Sequence, residues 1–335
     1  MGRLILAVSL LVLAGAARAD PGCQLQVIAE LPVALTNGQP TVEAFVNERP
    51  IHMITDTGSD STLLFRAAAK ELGLTPVAIP GAKFYGVGGG DDDMSALIKE
   101  FKVSNFVANN VDIAVTGQWP SSKIQGLLGV RLLMQADLEF DLPQDKIRLI
   151  KSKNCKGDQV VYWGAAYASA PMEPATGNGI YVDVLVNGAR VRAQLDSGAA
   201  YSVLTPAAAK RAGITPQSAG VARHGVSRGT GSAAVDTYIG IFSSFSFGDE
   251  TIKNAKLRIA DLFEDDKEVP INSHIAASVV DGPQMLLGAD FLRSHRVYIS
   301  HDQKRVYASY VGGPVFRIDD QPPAATTTAP AASPK

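Results

Sequence analysis

Two short stretches of the chain place an aspartate, a hydroxyl residue and a glycine directly after an apolar run. Asp56-Thr57-Gly58 lies within MITDTGSDSTLL (53–64), and Asp196-Ser197-Gly198 lies 140 positions further along. Two carboxyl groups about 3 Å apart can share one proton, because two negative charges at that distance repel each other. The ionised group can then accept a proton from water while the protonated group donates one to a carbonyl oxygen. The two aspartates therefore predict acid–base hydrolysis without a metal or a cofactor.

The two stretches belong to an internal duplication. Residues 46–76 align with 186–216 at a constant offset, and 12 of the 31 positions are identical, where chance would give about two or three. Two further pairs of segments follow in the same order: YGVGGG (85–90) with HGVSRG (224–229), and GLLGVRLL (126–133) with MLLGADFL (285–292). The chain therefore contains two copies of one unit, and each copy contributes one aspartate.

Each copy must place its aspartate with short strands rather than with long helices. The 31 glycines and 19 prolines and the scarcity of helical periodicity favour many turns. Within each copy we expect a hairpin, a strand that ends at the aspartate, a short helix, a glycine-rich hairpin and a closing apolar pair before a glycine. The turns are expected near Asn47-Glu48 and Asn187-Gly188, and the helices are expected to end at Gly73 and Gly213. We assign residues 24–150 to the first copy, 151–175 to a connection and 176–312 to the second copy.

The repeated Asp-Thr/Ser-Gly, followed in each copy by two apolar residues and a glycine, resembles the signature of the aspartic proteases, in particular the retropepsin-like branch. The resemblance covers about residues 25–312. It implies an all-β fold in which two retropepsin-like β-barrel lobes form a bilobal, pepsin-like arrangement with few short helices. It also implies a protein or peptide substrate and a catalytic dyad of Asp56 and Asp196.

The resemblance assigns supporting roles to the neighbouring residues. The hydroxyls of Thr57 and Ser197 are expected to form hydrogen bonds across the two lobes. Gly58 and Gly198 are expected to permit a tight turn and to bring backbone N–H groups near the carboxylates. The alternative is two unrelated aspartates that cap turns, but this alternative leaves the repeated apolar-apolar-glycine motif unexplained.

The glycine-rich hairpin KFYGVGGG (83–90) resembles the flap that covers the cleft of pepsin-like enzymes. On this comparison Tyr85 lies over the cleft, and Gly86 and Gly88 allow the hairpin to open and close. The second copy departs from the pattern, because His224 and Gly225 stand where the first copy has Tyr85 and Gly86. Whether both hairpins act as flaps therefore stays open.

Two other patterns near the hairpins have more than one interpretation. Asp91-Asp92-Asp93 predicts a solvated turn, although it could also select basic side chains of a substrate. Residues 225–229, GVSRG, match the G-x-S-x-G pattern of serine hydrolases. That nucleophile needs a helix after it, and the following sequence is glycine-rich and then β-like, so we do not assign it a catalytic role.

The two ends of the chain resemble processing and tail segments. Residues 1–19 combine Arg3, an apolar stretch and a small-x-small cleavage pattern, which predicts a signal peptide and a periplasmic or secreted protein. In an oxidising compartment the two cysteines, Cys23 and Cys155, predict one disulfide, the alternative being two unpaired thiols. Residues 321–335 are rich in proline, alanine and threonine and predict a disordered tail.

The leading hypothesis is an exported aspartic endopeptidase that works as a monomer with intramolecular pairing of its lobes. A net charge of −2 argues against nucleic acid as a partner, and no segment after the signal is long and apolar enough to insert stably in a membrane. One alternative is an enzyme that is active only as an intermolecular dimer. The other is a peptide-binding or scaffold protein that retains the cleft but has weak or no catalysis.

Overall fold

The computed structural model describes residues 22–119, 121, 123–174, 178–231, 233–262 and 282–316. The predicted signal peptide, the predicted tail and nearly all of the acidic segment LFEDDKEVP (262–270) lie outside the described residues. Within the described part the protein is mostly β, as predicted, with few short helices.

The strands and helices follow the order that the duplication predicts. In the first copy they are β1 (Gln24–Pro32), β2 (Ala34–Thr36), β3 (Gln39–Val46), β4 (Arg49–Asp56), β5 (Leu63–Leu64), α1 (Arg66–Glu71), β6 (Val77–Gly86), β7 (Gly89–Val103), β8 (Phe106–Val115), β9 (Gly126–Gly129), α2 (Val130–Leu133), β10 (Asp137–Asp141) and β11 (Lys146–Lys153). After it come β12 (Ala168–Pro171), β13 (Tyr181–Val186), β14 (Ala189–Leu195), β15 (Val203–Leu204), α3 (Pro206–Arg211), β16 (Ala222–Ser227), β17 (Val235–Phe247), β18 (Glu250–Ile259), β19 (Met285–Leu287), α4 (Ala289–Leu292), β20 (His295–Ser300) and β21 (Arg305–Tyr310).

Each copy forms a closed barrel. In the first copy the sheet runs β3-β4-β9-β5-β8-β7 and closes because β7 also pairs with β3. The second barrel has the same construction, β13-β14-β19-β15-β18-β17, and closes by the pairing of β17 with β13. The two barrels confirm the predicted fold class, and the matching strand order makes it possible to compare the copies position by position.

A six-stranded sheet joins the two barrels. Its order is β1-β11-β10-β20-β21-β12. The first three of these strands come from the first half of the chain and the last three from the second half. The two halves meet where β10 pairs with β20, with Glu139 opposite Tyr298. Residues 168–171, predicted to belong to a connection, form β12 instead. This strand pairs with β21 at one edge of the sheet, as β1 pairs with β11 at the other edge.

The predicted local signals lie where the elements turn or end. The hairpins β3–β4 and β13–β14 turn at Asn47-Glu48 and Asn187-Gly188, and all four residues have positive φ. Gly73 follows α1 with φ +71, and its N–H donates to the carbonyl of Lys70 at 3.0 Å. Left-handed backbone favours glycine and asparagine, so these residue types allow the turns to be predicted from the sequence.

The two cysteines form the predicted disulfide, Cys23–Cys155. The bridge links the residue before β1 to the segment that follows β11, and the two strands are antiparallel neighbours in the shared sheet. The covalent link and the strand pairing therefore tie the N-terminal strand to the sheet that joins the barrels.

Candidate active site

The duplication brings the two aspartates together. Asp56 is the last residue of β4 and lies beside Gly129 of the parallel strand β9. Asp196 directly follows β14, and its N–H donates to the carbonyl of Leu287 on β19 at 2.9 Å. Both side chains are partly buried at the floor of one cleft, and their carboxyl groups are within hydrogen-bonding reach of each other.

Four hydrogen bonds across the barrels hold the two motifs in place. The hydroxyl of Thr57 donates to the carbonyl of Leu195 at 2.6 Å and accepts from the N–H of Ser197 at 3.0 Å. The hydroxyl of Ser197 donates to the carbonyl of Thr55 at 2.6 Å and accepts from the N–H of Thr57 at 3.0 Å. Thr57 and Ser197 are both fully buried. The predicted contacts across the lobes are therefore present, and they are reciprocal.

The two glycines are packed against the opposite carboxyl groups. A Cβ atom on Gly58 would lie 2.5 Å from Cγ of Asp196, and a Cβ atom on Gly198 would meet Cγ of Asp56 in the same way. No larger residue fits between the two carboxyl groups and the turns, because van der Waals contact requires more than 3 Å. The glycines therefore permit the close approach of the two motifs.

Each aspartate also accepts two hydrogen bonds from its own turn. Oδ1 of Asp56 accepts from the N–H groups of Gly58 and Ser59 at 2.9 and 3.0 Å. Oδ1 of Asp196 accepts from Gly198 and Ala199 at 2.9 and 3.1 Å. These bonds fix one oxygen of each carboxyl group, so the other oxygens are available for a shared proton and a ligand.

The electrostatic environment favours protonation of the pair. Burial raises the pKa of Asp56 well above its ordinary value, and repulsion by the neighbouring Asp196 raises it further. Burial also raises the pKa of Asp196, while the hydrogen bond from Asp56 opposes this increase. The two groups titrate as a unit, and one proton shared between them is the state that the geometry favours.

The dyad lies in a cleft of about 1620 Å³ that receives side chains from both copies. The first barrel contributes an apolar wall that includes Leu63, Trp119 and Leu127. At the equivalent place the second barrel presents a more polar wall, where Arg258 stacks on Tyr201 with Cζ 3.4 Å from the ring centroid. The cleft is large enough for an extended peptide, and its two walls differ in chemistry.

Two loops meet above the cleft. Gly88 belongs to the turn between β6 and β7, and its carbonyl accepts from the N–H of Ala233 at 2.9 Å. The carbonyl of Val87 accepts from Gly231 at 3.0 Å. Thr230 extends the contact to the first barrel, because its carbonyl accepts from the N–H of Gln118 at 3.0 Å. Both copies therefore contribute a hairpin to the cover of the cleft.

The predicted flap residues differ in whether they line the cleft. Tyr85 and Gly86 line the cleft, and Gly88 lies at the contact between the hairpins. In the second copy Gly225 lines the cleft, whereas His224 is absent from the lining. His224 lies at the irregularity in the β16–β17 register between Arg223 and Val226. The prediction that His224 takes the place of Tyr85 is therefore wrong, because this irregularity offsets the two hairpins.

The three consecutive aspartates also differ from their predicted structure. Asp91, Asp92 and Asp93 belong to strand β7, not to a solvated turn. Because side chains alternate along a strand, Asp92 faces the opposite side from Asp91 and Asp93. Among the three, Asp93 lines the cleft.

A buried carboxyl group behind the second motif was not identified from the sequence. Asp290, at the start of α4, accepts from the N–H and the hydroxyl of Ser202 at 2.9 and 2.6 Å, and Ser202 in turn accepts from the N–H of Gly288. Burial raises the pKa of Asp290 to about 6. The first copy has Arg131 at this position, in an ion pair with Asp60 at 2.7 Å, so the repeat gave no signal for Asp290.

The comparison with known families agrees with the duplication. A family model described as aspartyl protease matches the chain twice, over residues 42–132 and 182–291, which together make up more than half of its length. Among curated proteins no relative matches the chain.

Proposed function

The chain belongs to the aspartyl protease family, and from this membership we propose that it is an exported endopeptidase whose catalytic dyad is Asp56 and Asp196. One observation carries the proposal. The two carboxyl groups come from separate copies of the duplication, yet they are within hydrogen-bonding reach at the floor of a single cleft.

The proposed mechanism uses a water molecule held between the two carboxyl groups. The ionised aspartate accepts a proton from this water, and the protonated aspartate donates its proton to the carbonyl oxygen of the scissile peptide bond. The water oxygen bonds to the carbonyl carbon and gives a neutral gem-diol. Proton transfer to the amide nitrogen and cleavage of the C–N bond release two peptides. No covalent enzyme intermediate forms.

The surrounding residues have positioning roles in this mechanism. The reciprocal bonds of Thr57 and Ser197 limit movement of one carboxyl group relative to the other. The N–H groups next to Asp56 and Asp196 fix the orientation of both carboxyl groups. Preorganised groups of this kind lower the barrier because they need no rearrangement during the reaction. The hairpins over the cleft exclude water and must separate to admit a peptide.

Export is the part of the proposal that rests on the sequence and on the disulfide. The signal-like residues 1–19 predict passage across a membrane, and a bridge such as Cys23–Cys155 persists in an oxidising compartment. In the described part of the chain, none of the helices has the length and apolar character needed to cross a bilayer. We propose that the mature protein is periplasmic or secreted.

The arrangement of the copies favours one chain as the complete enzyme. The cross-barrel bonds of Thr57 and Ser197 and the β10–β20 pairing all lie within one chain. An intermolecular dimer would have to break these contacts to pair each copy with its counterpart on another chain. We therefore propose intramolecular pairing, which predicts that specific activity stays constant on dilution.

A peptide library incubated with the mature protein between pH 4 and 7 tests the proposal, with the Asp56→Asn/Asp196→Asn double variant as the control. New peptide termini that form with the wild type but not with the control are the expected result. Peptides that bind to both proteins and stay intact would overturn the endopeptidase proposal and favour the peptide-binding alternative.

A further inference from the structure

The three aspartates of β7 differ in how their charges are satisfied. Asp91 accepts from Nε and Nη2 of Arg66 at 2.9 and 2.8 Å, and Asp92 forms an exposed ion pair with Lys83 at 3.1 Å. Asp93 forms no side-chain hydrogen bond with either cation; burial raises its pKa, and the N–H of Met94 and the charge of Arg66 partly oppose that increase. Its Oδ1 atom is buried and has no hydrogen-bond partner among the described residues. Because an unsatisfied buried carboxylate oxygen is costly, Asp93 is suited to a partner that enters the cleft.

The first barrel's wall of the cleft, which Asp93 also lines, is apolar. Leu63 and Leu127 are buried there together with Phe65, and the side chains of Phe84 and Trp119 pack against this cluster. Trp119 stacks on Phe65 with the ring centroids 5.5 Å apart. A carboxylate beside such a wall matches a long basic side chain, whose methylene stem packs on apolar surface while its charged end forms a hydrogen bond.

The two barrels differ at one position of this wall, where the second has an arginine and the first an alanine. Leu63 of β5 pairs with Ala114 of β8, and the equivalent pair in the second copy is Val203 with Arg258. Ala114 and Arg258 therefore occupy the same position, and both line the cleft. The second copy places its own guanidinium group on its wall, whereas the first copy has a methyl group there.

The same comparison applies to Asp93 itself. Met94 pairs with Val115 as Tyr238 pairs with Ile259, so Asp93 is equivalent to Thr237. The hydroxyl of Thr237 is fully buried and forms a hydrogen bond with Ser227 at 2.7 Å. The second copy therefore satisfies this position from within the protein, and the first copy does not.

We propose that Asp93 is a specificity-determining residue that binds the cationic side chain of a lysine or arginine flanking the scissile bond. This inference rests on the proposed peptidase function and names its substrate class. Lys83 also lines the cleft, but its ion pair with Asp92 keeps its ammonium group at the outer face of the strand. The cationic end of the substrate then meets the carboxylate of Asp93, and its stem meets Phe84 and Trp119.

The test uses two matched fluorogenic peptides that differ at one residue next to the scissile bond, lysine in one and norleucine in the other. We expect the wild type to prefer the lysine peptide and Asp93→Asn to lower the lysine-to-norleucine ratio of kcat/KM roughly 10- to 100-fold, the range for losing one charged hydrogen-bond partner. Asp93→Thr, which installs the residue of the second copy, should lower the ratio similarly. Asp302→Asn removes an exposed carboxylate outside the cleft lining; it is the control and should leave the ratio as in the wild type.

A binding measurement separates the failure of this inference from the failure of the proposed function. The same two peptides, with a hydroxyethylene group in place of the scissile amide, are titrated calorimetrically into wild type and Asp93→Asn. A preference of the wild type for the lysine peptide that disappears in Asp93→Asn supports the inference, even if neither parent peptide is cleaved. Absence of cleavage would overturn only the proposed peptidase function. Equal affinity of the wild type for both peptides, or a preference that Asp93→Asn leaves intact, would overturn the inference.

Discussion

At the scale of single residues, the two aspartates are nearly identical in sequence context, but the causes that shift their pKa values differ. Each accepts two backbone N–H bonds from its own turn, and each faces the glycine of the other motif. Burial raises the pKa of both groups, and the proximity of Asp196 raises that of Asp56 further. In the proposed mechanism the pair supplies one acid and one base, because loss of a proton from one carboxyl group makes its loss from the other harder.

The shared proton predicts how activity depends on pH. Below the lower apparent pKa of the dyad both carboxyl groups are protonated and no base is present. Above the upper value both are ionised and no acid is present. We expect a bell-shaped profile of kcat/KM with its maximum at acidic pH, measured with one peptide from pH 2 to 9. Activity that rises steadily to pH 9 would contradict a shared-proton dyad.

The motif could be found from the sequence because its contacts need the same residue types in both copies. Asp56-Thr57-Gly58 and Asp196-Ser197-Gly198 retain the carboxyl, hydroxyl and glycine that the contacts require. Asp93 and Asp290 gave no comparable signal, because their equivalents Thr237 and Arg131 differ in type. Strand register is what shows that Asp93 corresponds to Thr237, and register depends on pairing partners far away in the chain.

At the scale of elements, the two hairpins form a cover that neither copy provides alone. The hydrogen bonds from Gly231 to Val87 and from Ala233 to Gly88 join their backbones. Gly88 has φ +91, and a Cβ atom there would lie 2.5 Å from the carbonyl oxygen of Ala233. In the proposed mechanism a peptide enters after these contacts separate, so we expect the cover to open and close in each catalytic cycle.

Gly88→Ala tests this contact. The added methyl group clashes with Ala233 in the closed arrangement, so we expect kcat/KM to fall about tenfold, with a loss of closing energy of about 1.4 kcal/mol. Gly81→Ala is a matched control in the same hairpin, because Gly81 also has positive φ (+76) but a Cβ atom there meets nothing within 4 Å. Equal losses in the two variants would show that backbone strain, not the contact between hairpins, determines the effect.

The hairpin register was the weakest part of the sequence prediction. The identity between YGVGGG and HGVSRG suggested that His224 matches Tyr85. The structure has register irregularities between Ala78 and Lys83 in one hairpin and between Arg223 and Val226 in the other. An extra residue in a strand shifts every later side chain to the opposite face. Pro80-Gly81 and Gly225 lie within these irregularities, and both glycines have positive φ. Proline and glycine are typical of bulges, but the bulges were not predicted from them.

At the scale of the whole molecule, the six-stranded sheet holds the two barrels in the relation that the dyad needs. Glu139 on β10 is fully buried at the centre of this sheet. It accepts from Arg148 on β11 at 2.5 Å and from Arg296 on β20 at 2.9 Å, and Tyr162 donates to its second oxygen at 2.7 Å. Strands from both copies therefore share one buried anion. The duplication predicted two barrels but not this sheet, whose neighbours β10 and β20 are far apart in the sequence.

Glu139→Gln should destabilise the protein by about 2 kcal/mol, because it removes the charge of one of the two buried carboxylates, Glu139 and Asp141, that Arg148 and Arg296 share. Urea unfolding at pH 7 gives the change in the free energy of unfolding. Glu30→Gln is the matched control: Glu30 also pairs with Arg148 but is largely exposed, so its loss should cost about 1 kcal/mol or less. A smaller cost for Glu139→Gln than for Glu30→Gln would contradict the role given to the sheet.

The most direct test of the whole account compares peptide cleavage by two single variants, Asp56→Asn and Asp196→Asn, with the exposed Asp302→Asn as the control. If the two carboxyl groups form one dyad within one chain, each dyad variant should lose at least about 1,000-fold in kcat/KM while the control keeps wild-type activity. If either dyad variant keeps half or more of the wild-type kcat/KM, the two aspartates do not act as one site, and the account is contradicted.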